Sequence, residues 1–172
     1  MFKTITLKPT KEKSILRRHP WVFSGAIKSI ENGISNGDIV EIKSNKGRFL
    51  GYGHYNEGSI AIRIFELNQV TIDKTYWKVK IKKAISQRHS YLDINEENNI
   101  YRLVHAEGDE MPGCIIDRYN NVIVMQFHSV GMWKLKDIFS EVIAKTLPKI
   151  DVIYDKSEKT LPDILKEEFQ IQ

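Results

Sequence analysis

Apolar and polar residues alternate from Thr4 to Leu7, which predicts a short opening strand that Pro9 closes. Residues 11–18 read as a short helix, and Pro20 ends it because the residue before a proline avoids helical backbone. Trp21, Val22 and Phe23 then alternate as a strand does, so Trp21 and Phe23 share one face and Val22 takes the other. Beyond the turn pairs Asn32-Gly33 and Asn36-Gly37, residues 38–43, 48–55 and 59–65 each carry strand-like apolar positions. Short strands separated by Gly and Asn turns predict a small β-barrel. Gly47, Gly51, Gly53 and Gly58 crowd its middle, where glycine marks a bulge, a corner or a close approach of two backbones.

At Asp73, a suitable N-cap, the period changes from strand to helix. Trp77, Ile81, Ala84, Ile85 and Leu92 recur at three- and four-residue spacing, while Lys74, Lys78 and Lys82 form a basic row four residues apart. Residues 93–99 are polar and loop-like. Strands are then expected at 101–104, 114–119 and 122–127, the last two joined by Asn120-Asn121, since Asn tolerates positive φ in a tight turn. Leu135, Ile138, Phe139, Val142 and Ile143 make an apolar stripe on a helix over 131–147, stopped by Pro148, and a strand is expected at 151–154. The pattern is α+β: a small β pseudo-barrel over 1–72, a basic connector helix over 73–95 and an α+β unit over 96–172.

Charge divides the chain in the same places. Residues 1–72 hold 11 Lys and Arg against 6 Asp and Glu, residues 73–95 hold 6 against 2, and residues 96–172 hold 9 against 14. A basic first part suits a polyanion, and an acidic last part suits solvent or protein. The single cysteine, Cys114, excludes an internal disulfide framework. Residues 1–8 lack the continuous apolar run of an export signal and no later run approaches a membrane span, so a cytoplasmic protein with no membrane partner is expected.

Candidate chemistry concentrates where the first helix gives way to strand. Arg17, Arg18 and His19 adjoin Trp21 and Phe23 across Pro20, and guanidinium forks suit phosphate oxygens as aromatic faces suit unstacked bases. The two rings can equally serve as core. Further along, Lys43, Arg48 and Arg63 are candidate phosphate-facing cations, and His54 and Tyr55 are candidate stacking or shaping groups in a glycine-rich strand.

Three stretches carry a family resemblance: 17–27, 51–56 followed by 59–63, and Glu107-Gly-Asp-Glu-Met-Pro-Gly-Cys-Ile-Ile-Asp-Arg-Tyr119. In order and combination they resemble the large-subunit ribosomal RNA methyltransferase family, whose members include 5-methylcytosine enzymes. The resemblance implies that the first unit is a PUA domain binding structured ribosomal RNA and that the last is the family's central α+β domain. It also implies a third, Rossmann-like domain holding S-adenosylmethionine and the cysteine nucleophile, expected to be absent from this chain because the sequence ends about where that domain would begin. A homodimer is expected only of a full-length parent. On this view the chain is the RNA-recognition half of a larger enzyme; the alternative is a free-standing RNA-binding or ribosome-associated adaptor.

No catalytic, cofactor-binding or metal-binding residue is expected within the chain itself. The G-x-G of Gly51-Tyr52-Gly53 leads into another strand, whereas a nucleotide-binding turn must lead into a helix N-terminus. Cys114 opens the apolar run Cys-Ile-Ile and reads as core. Glu107, Asp109 and Glu110 read as a turn whose carboxylates cap backbone amides, with Glu110 standing where the family usually has glycine. Five histidines without ligand spacing predict no structural metal.

Overall fold

The computed structural model describes residues 2–95 and 97–161, which fall into two compact units. The first runs to Val70 and takes in Ser129–Gly131; the second begins at Thr71.

The first unit is a six-stranded sheet built from β1 (Lys3–Leu7), β2 (Trp21–Phe23), β3 (Ile27–Ile30), β4 (Ile39–Lys43), β5 (Phe49–Tyr55) and β6 (Ile60–Glu66). Its order is β2-β6-β5-β4-β1-β3, with only β1 and β4 parallel. Strand β3 lies outside the expected elements, because Ile27-Lys28-Ser29-Ile30 lacks alternation and three of its four residues are exposed. Alternation elsewhere sends Ile5, Leu7, Val22, Val40, Ile42, Ile62 and Ile64 into one core. The register shifts at four points, one of them between Tyr52 and Gly53. At Gly53 a Cβ would stand 2.4 Å from Ile62 Cγ2 and 2.7 Å from the Arg63 carbonyl oxygen, so the close approach requires glycine.

Helix α1 (Lys13–Leu16) is shorter than the run 11–18 predicts. It stops because Arg18 turns to φ +62°, after which His19 N–H reaches back to the Ser14 carbonyl.

In the second unit α2 (Lys74–Tyr91) starts at Asp73, whose carboxylate accepts from Tyr76 N–H at 2.8 Å. Trp77, Ile81, Ala84 and Ile85 are buried on the side that packs on α4 (Lys136–Thr146) and β7 (Ile100–His105). With β8 (Cys114–Tyr119), β9 (Val122–Phe127) and β10 (Val152–Asp155), β7 makes a sheet of order β10-β9-β8-β7, in which β10 runs parallel to β9. Asn120 takes φ +58° in the β8–β9 turn, as its residue type suggests. The single helix expected over 131–147 is two: α3 (Val130–Trp133) and α4, separated by a turn in which Leu135 N–H reaches the Met132 carbonyl. Trp133 anchors that turn, its indole N–H donating to Asp155 at 3.0 Å and its ring lying 4.3 Å from the Lys136 ammonium.

Candidate nucleic-acid interface

The corner between α1 and β2 turns at Arg18, whose φ is +62°, and at Pro20. Val22 is buried in the first core, which forces Trp21 and Phe23 onto the outer face of β2; Trp21 is half-buried and Phe23 49% exposed. His19 folds beside them. Its ring centroid lies 5.9 Å from Trp21 and 6.2 Å from Phe23, and Trp21 N–H donates to His19 Nδ1 at 3.2 Å. Three rings therefore share one surface, and with Lys11, Ser14 and Gly25 they line a shallow groove of about 370 Å³. Lys8 braces its far side by donating to the Gly25 carbonyl at 2.9 Å.

Arg17 and Arg18 lie in the chain between Ser14 and His19, two residues that line this groove, and both are exposed with neither in an ion pair among the described residues. Arg18 is notable for its backbone. A left-handed conformation at the residue after a helix is one that glycine occupies without cost, and a side chain there strains the chain. Strain of this kind gathers at sites where the side chain serves a purpose. Lys8, Lys11, Lys13, Arg17 and Arg18 surround a single carboxylate, Glu12, within eleven residues of sequence. The corner can thus offer charge to phosphates and ring faces to bases.

The remaining expected residues are spread over the barrel. Arg48 is exposed in the β4–β5 turn, where Lys28 donates to Asn45 at 2.7 Å; Lys43 is half-buried and pairs with Glu41 at 3.4 Å. Arg63, half-buried on β6, stands opposite Trp21 on one side and His54 on the other. His54 departs from expectation. It is 1% exposed with its ring 4.9 Å from Phe65, so it shapes the interior and offers no face to a ligand. Tyr55 is half-buried against the first core, and burial raises its phenol pKa above the ordinary value, with Glu57 adding to the effect. Lys8, Lys11, Ser14 and Gly25 escape sequence reasoning, although the cations crowded into residues 8–18 signal the first two.

In the second unit the acidic turn is structural. Asp109 accepts from Arg88 at 2.8 and 2.5 Å and from His105 N–H at 2.5 Å. Glu110, at φ +57°, pairs with the buried Lys80 at 3.0 Å, and that hydrogen bond holds its carboxyl below the usual carboxylate range. Asp117 pairs with Arg102 at 2.9 Å, while the buried Arg118 donates to the Asn120 and Pro148 carbonyls. Cys114 is fully buried in the second core, and burial pushes its thiol far above the range of a nucleophile. Among the described residues no group of three His, Cys, Asp or Glu side chains is placed to hold a metal, and no helix is long and apolar enough to cross a membrane.

Residues 5–67 match the family model described as a PUA-like domain. Over 159 residues, 90% of its length, the chain is 38% identical to ribosomal RNA large subunit methyltransferase I of Shewanella frigidimarina. It is also 38% identical over 151 residues to the protein of the same name from Pseudoalteromonas atlantica. The chain spans 39% and 38% of these relatives. Among solved structures, a putative SAM-dependent methyltransferase from Streptococcus mutans superposes with a TM-score of 0.76 at 18% identity, covering 92% of this chain and 41% of that one. A second, SMU.776, a putative methyltransferase complexed with SAH, gives a TM-score of 0.76 at 17% identity and covers 93% of this chain and 41% of that one. At such identities the likeness is one of fold.

Proposed function

We propose that this chain binds structured ribosomal RNA through the α1–β2 corner of its PUA-like unit, as the recognition half of a cytoplasmic ribosomal RNA methyltransferase acting on cytosine carbon-5. The observation that carries this reading is the corner itself: two exposed arginines outside any ion pair among the described residues, one on strained backbone, beside three rings around an open groove. Similarity to methyltransferases named for large-subunit ribosomal RNA supports the choice of RNA, and their greater length supports a separate domain for methyl transfer.

The G-x-G of Gly51-Tyr52-Gly53 is not a nucleotide-binding turn. Gly51 and Gly53 lie inside β5 with β6 backbone packed against them, so no helix N-terminus follows this motif to receive an anion. In this reading S-adenosylmethionine is held by the domain that performs the chemistry, and the chain's own contribution is to grip RNA by phosphate contacts and base stacking. Ultraviolet crosslinking to large-subunit ribosomal RNA tests it. The crosslinked peptide is expected to contain Trp21 and Phe23, and crosslinks confined to peptides beyond residue 70 would overturn the assignment.

A further inference from the structure

The basic row on α2 is not used by the corner, and the structure gives it a setting. Lys82, Ile85, Ser86 and His89 on α2 face Lys145 and Thr146 on α4 across a groove of about 570 Å³. Ile85, 4% exposed, is its floor. Every polar side chain lining the walls carries a donor: two ammonium groups, two hydroxyls and an imidazole whose Nδ1 already engages the Ile85 carbonyl at 3.0 Å. Glu141 lies one turn before Lys145. It accepts from Lys145 at 2.7 Å and from Lys78 at 3.2 Å, tying the two helices together. Lys78, Lys82 and Lys145 against Glu141 leave two net positive charges along the groove, and Lys145 stays 73% exposed despite its pairing.

We infer that this α2–α4 groove is a second binding surface for the RNA phosphate backbone, in a unit whose remaining sequence is acidic. Lysines and hydroxyls, with His89 the one ring in the lining and its Nδ1 held by the Ile85 carbonyl, suit phosphate oxygens more than base edges, so the surface adds affinity and little sequence specificity. Its apolar floor keeps the ammonium groups apart along two rigid helices, a spacing that a flexible tail of lysines would not hold.

The inference rests on the proposal that the first unit binds RNA, and the test separates the two. A fluorescein-labelled hairpin of large-subunit ribosomal RNA is titrated with the full chain over a salt series, alongside Lys82→Ala/Lys145→Ala, Lys82→Arg/Lys145→Arg and Arg17→Ala/Arg18→Ala. The lysine-to-alanine pair is expected to lose affinity several-fold and to flatten the log–log salt slope by about two units, while the arginine replacements at the same positions retain both. Because Lys82 and Lys145 are exposed, melting temperatures should match the parent. If Arg17→Ala/Arg18→Ala weakens binding but the lysine pair keeps the parental affinity and slope, the groove is overturned and the first unit's role stands. Reduced affinity with an unchanged slope would also overturn it, since the two lysines would then neutralise no phosphate. If the arginine pair has no effect, the reading of the first unit fails instead.

Discussion

At Arg18 the proposed RNA contact and a cost in backbone strain meet in one residue. Its left-handed backbone costs roughly 1–2 kcal/mol relative to an unstrained residue, part of which glycine's own chain entropy would offset. Arg18→Gly should therefore raise the melting temperature by a few degrees while weakening RNA binding, a combination a purely structural residue would not give. Calorimetry and RNA titration on the same preparation check it, and a lower melting temperature would contradict the strain argument. The residues of β2 divide by face. Phe23→Ala should cost about 1–3 kcal/mol of RNA affinity with little change in stability. Val22→Ala, on the buried face, should cost stability by an amount approaching the roughly 1.5–3 kcal/mol of burying a valine, and leave the folded protein's affinity unchanged. Equal melting temperatures for the two variants would refute that division. Alternation makes the two faces legible from sequence, but whether the Trp21 face is core or platform is not, because that depends on what the rest of the chain lays over it. His54 eludes the sequence for the same reason: a glycine-rich strand suggests an approachable surface, and here its glycines admit the neighbouring strand instead.

At the level of elements, strong periods are readable and weak ones are not. Asp73 and the Trp77–Ile85 spacing define α2, and the Asn120 turn defines the β8–β9 hairpin, since cap chemistry and period agree there. Strand β3 is held by pairing with β1, which its own sequence does not announce, and the break before α4 depends on Trp133 reaching Asp155 on a distant strand. The Glu110–Lys80 pair ties the acidic turn to α2 and makes that link pH-dependent. Because the folded carboxyl lies below its unfolded value of about 4.3, the pair's contribution is fully present above that pH. It is lost as pH falls through the folded value. Glu110→Gln should thus be less stable than the parent near neutrality, with the gap closing in acid; thermal melts across the acid range check this. Exposure of Glu110 limits the size of the gap, and a gap constant with pH would show that the carboxylate's charge is irrelevant.

For the whole molecule, charge and architecture coincide only in part. The basic excess of residues 1–72 gathers on the α1–β2 corner and the β4–β5 turn, and four acidic residues of the second unit, Asp109, Asp117, Glu110 and Glu141, pair with Arg88, Arg102, Lys80 and Lys145. Such internal pairing is invisible in a charge count, which also does not show that Lys82 and Lys145 face one groove. Isothermal titration of the chain with S-adenosylmethionine should show no saturable heat, and tight binding would mean that this chain holds a cofactor site of its own. The central claim, that the α1–β2 corner grips RNA phosphates, is tested most directly by the salt dependence of RNA binding for the parent and for Arg17→Ala/Arg18→Ala. Each phosphate that an arginine neutralises should add about 0.9 to the log–log slope, so the double variant is predicted to fall short of the parent by close to two units across unrelated RNA sequences. Parallel slopes for the two proteins would contradict the claim.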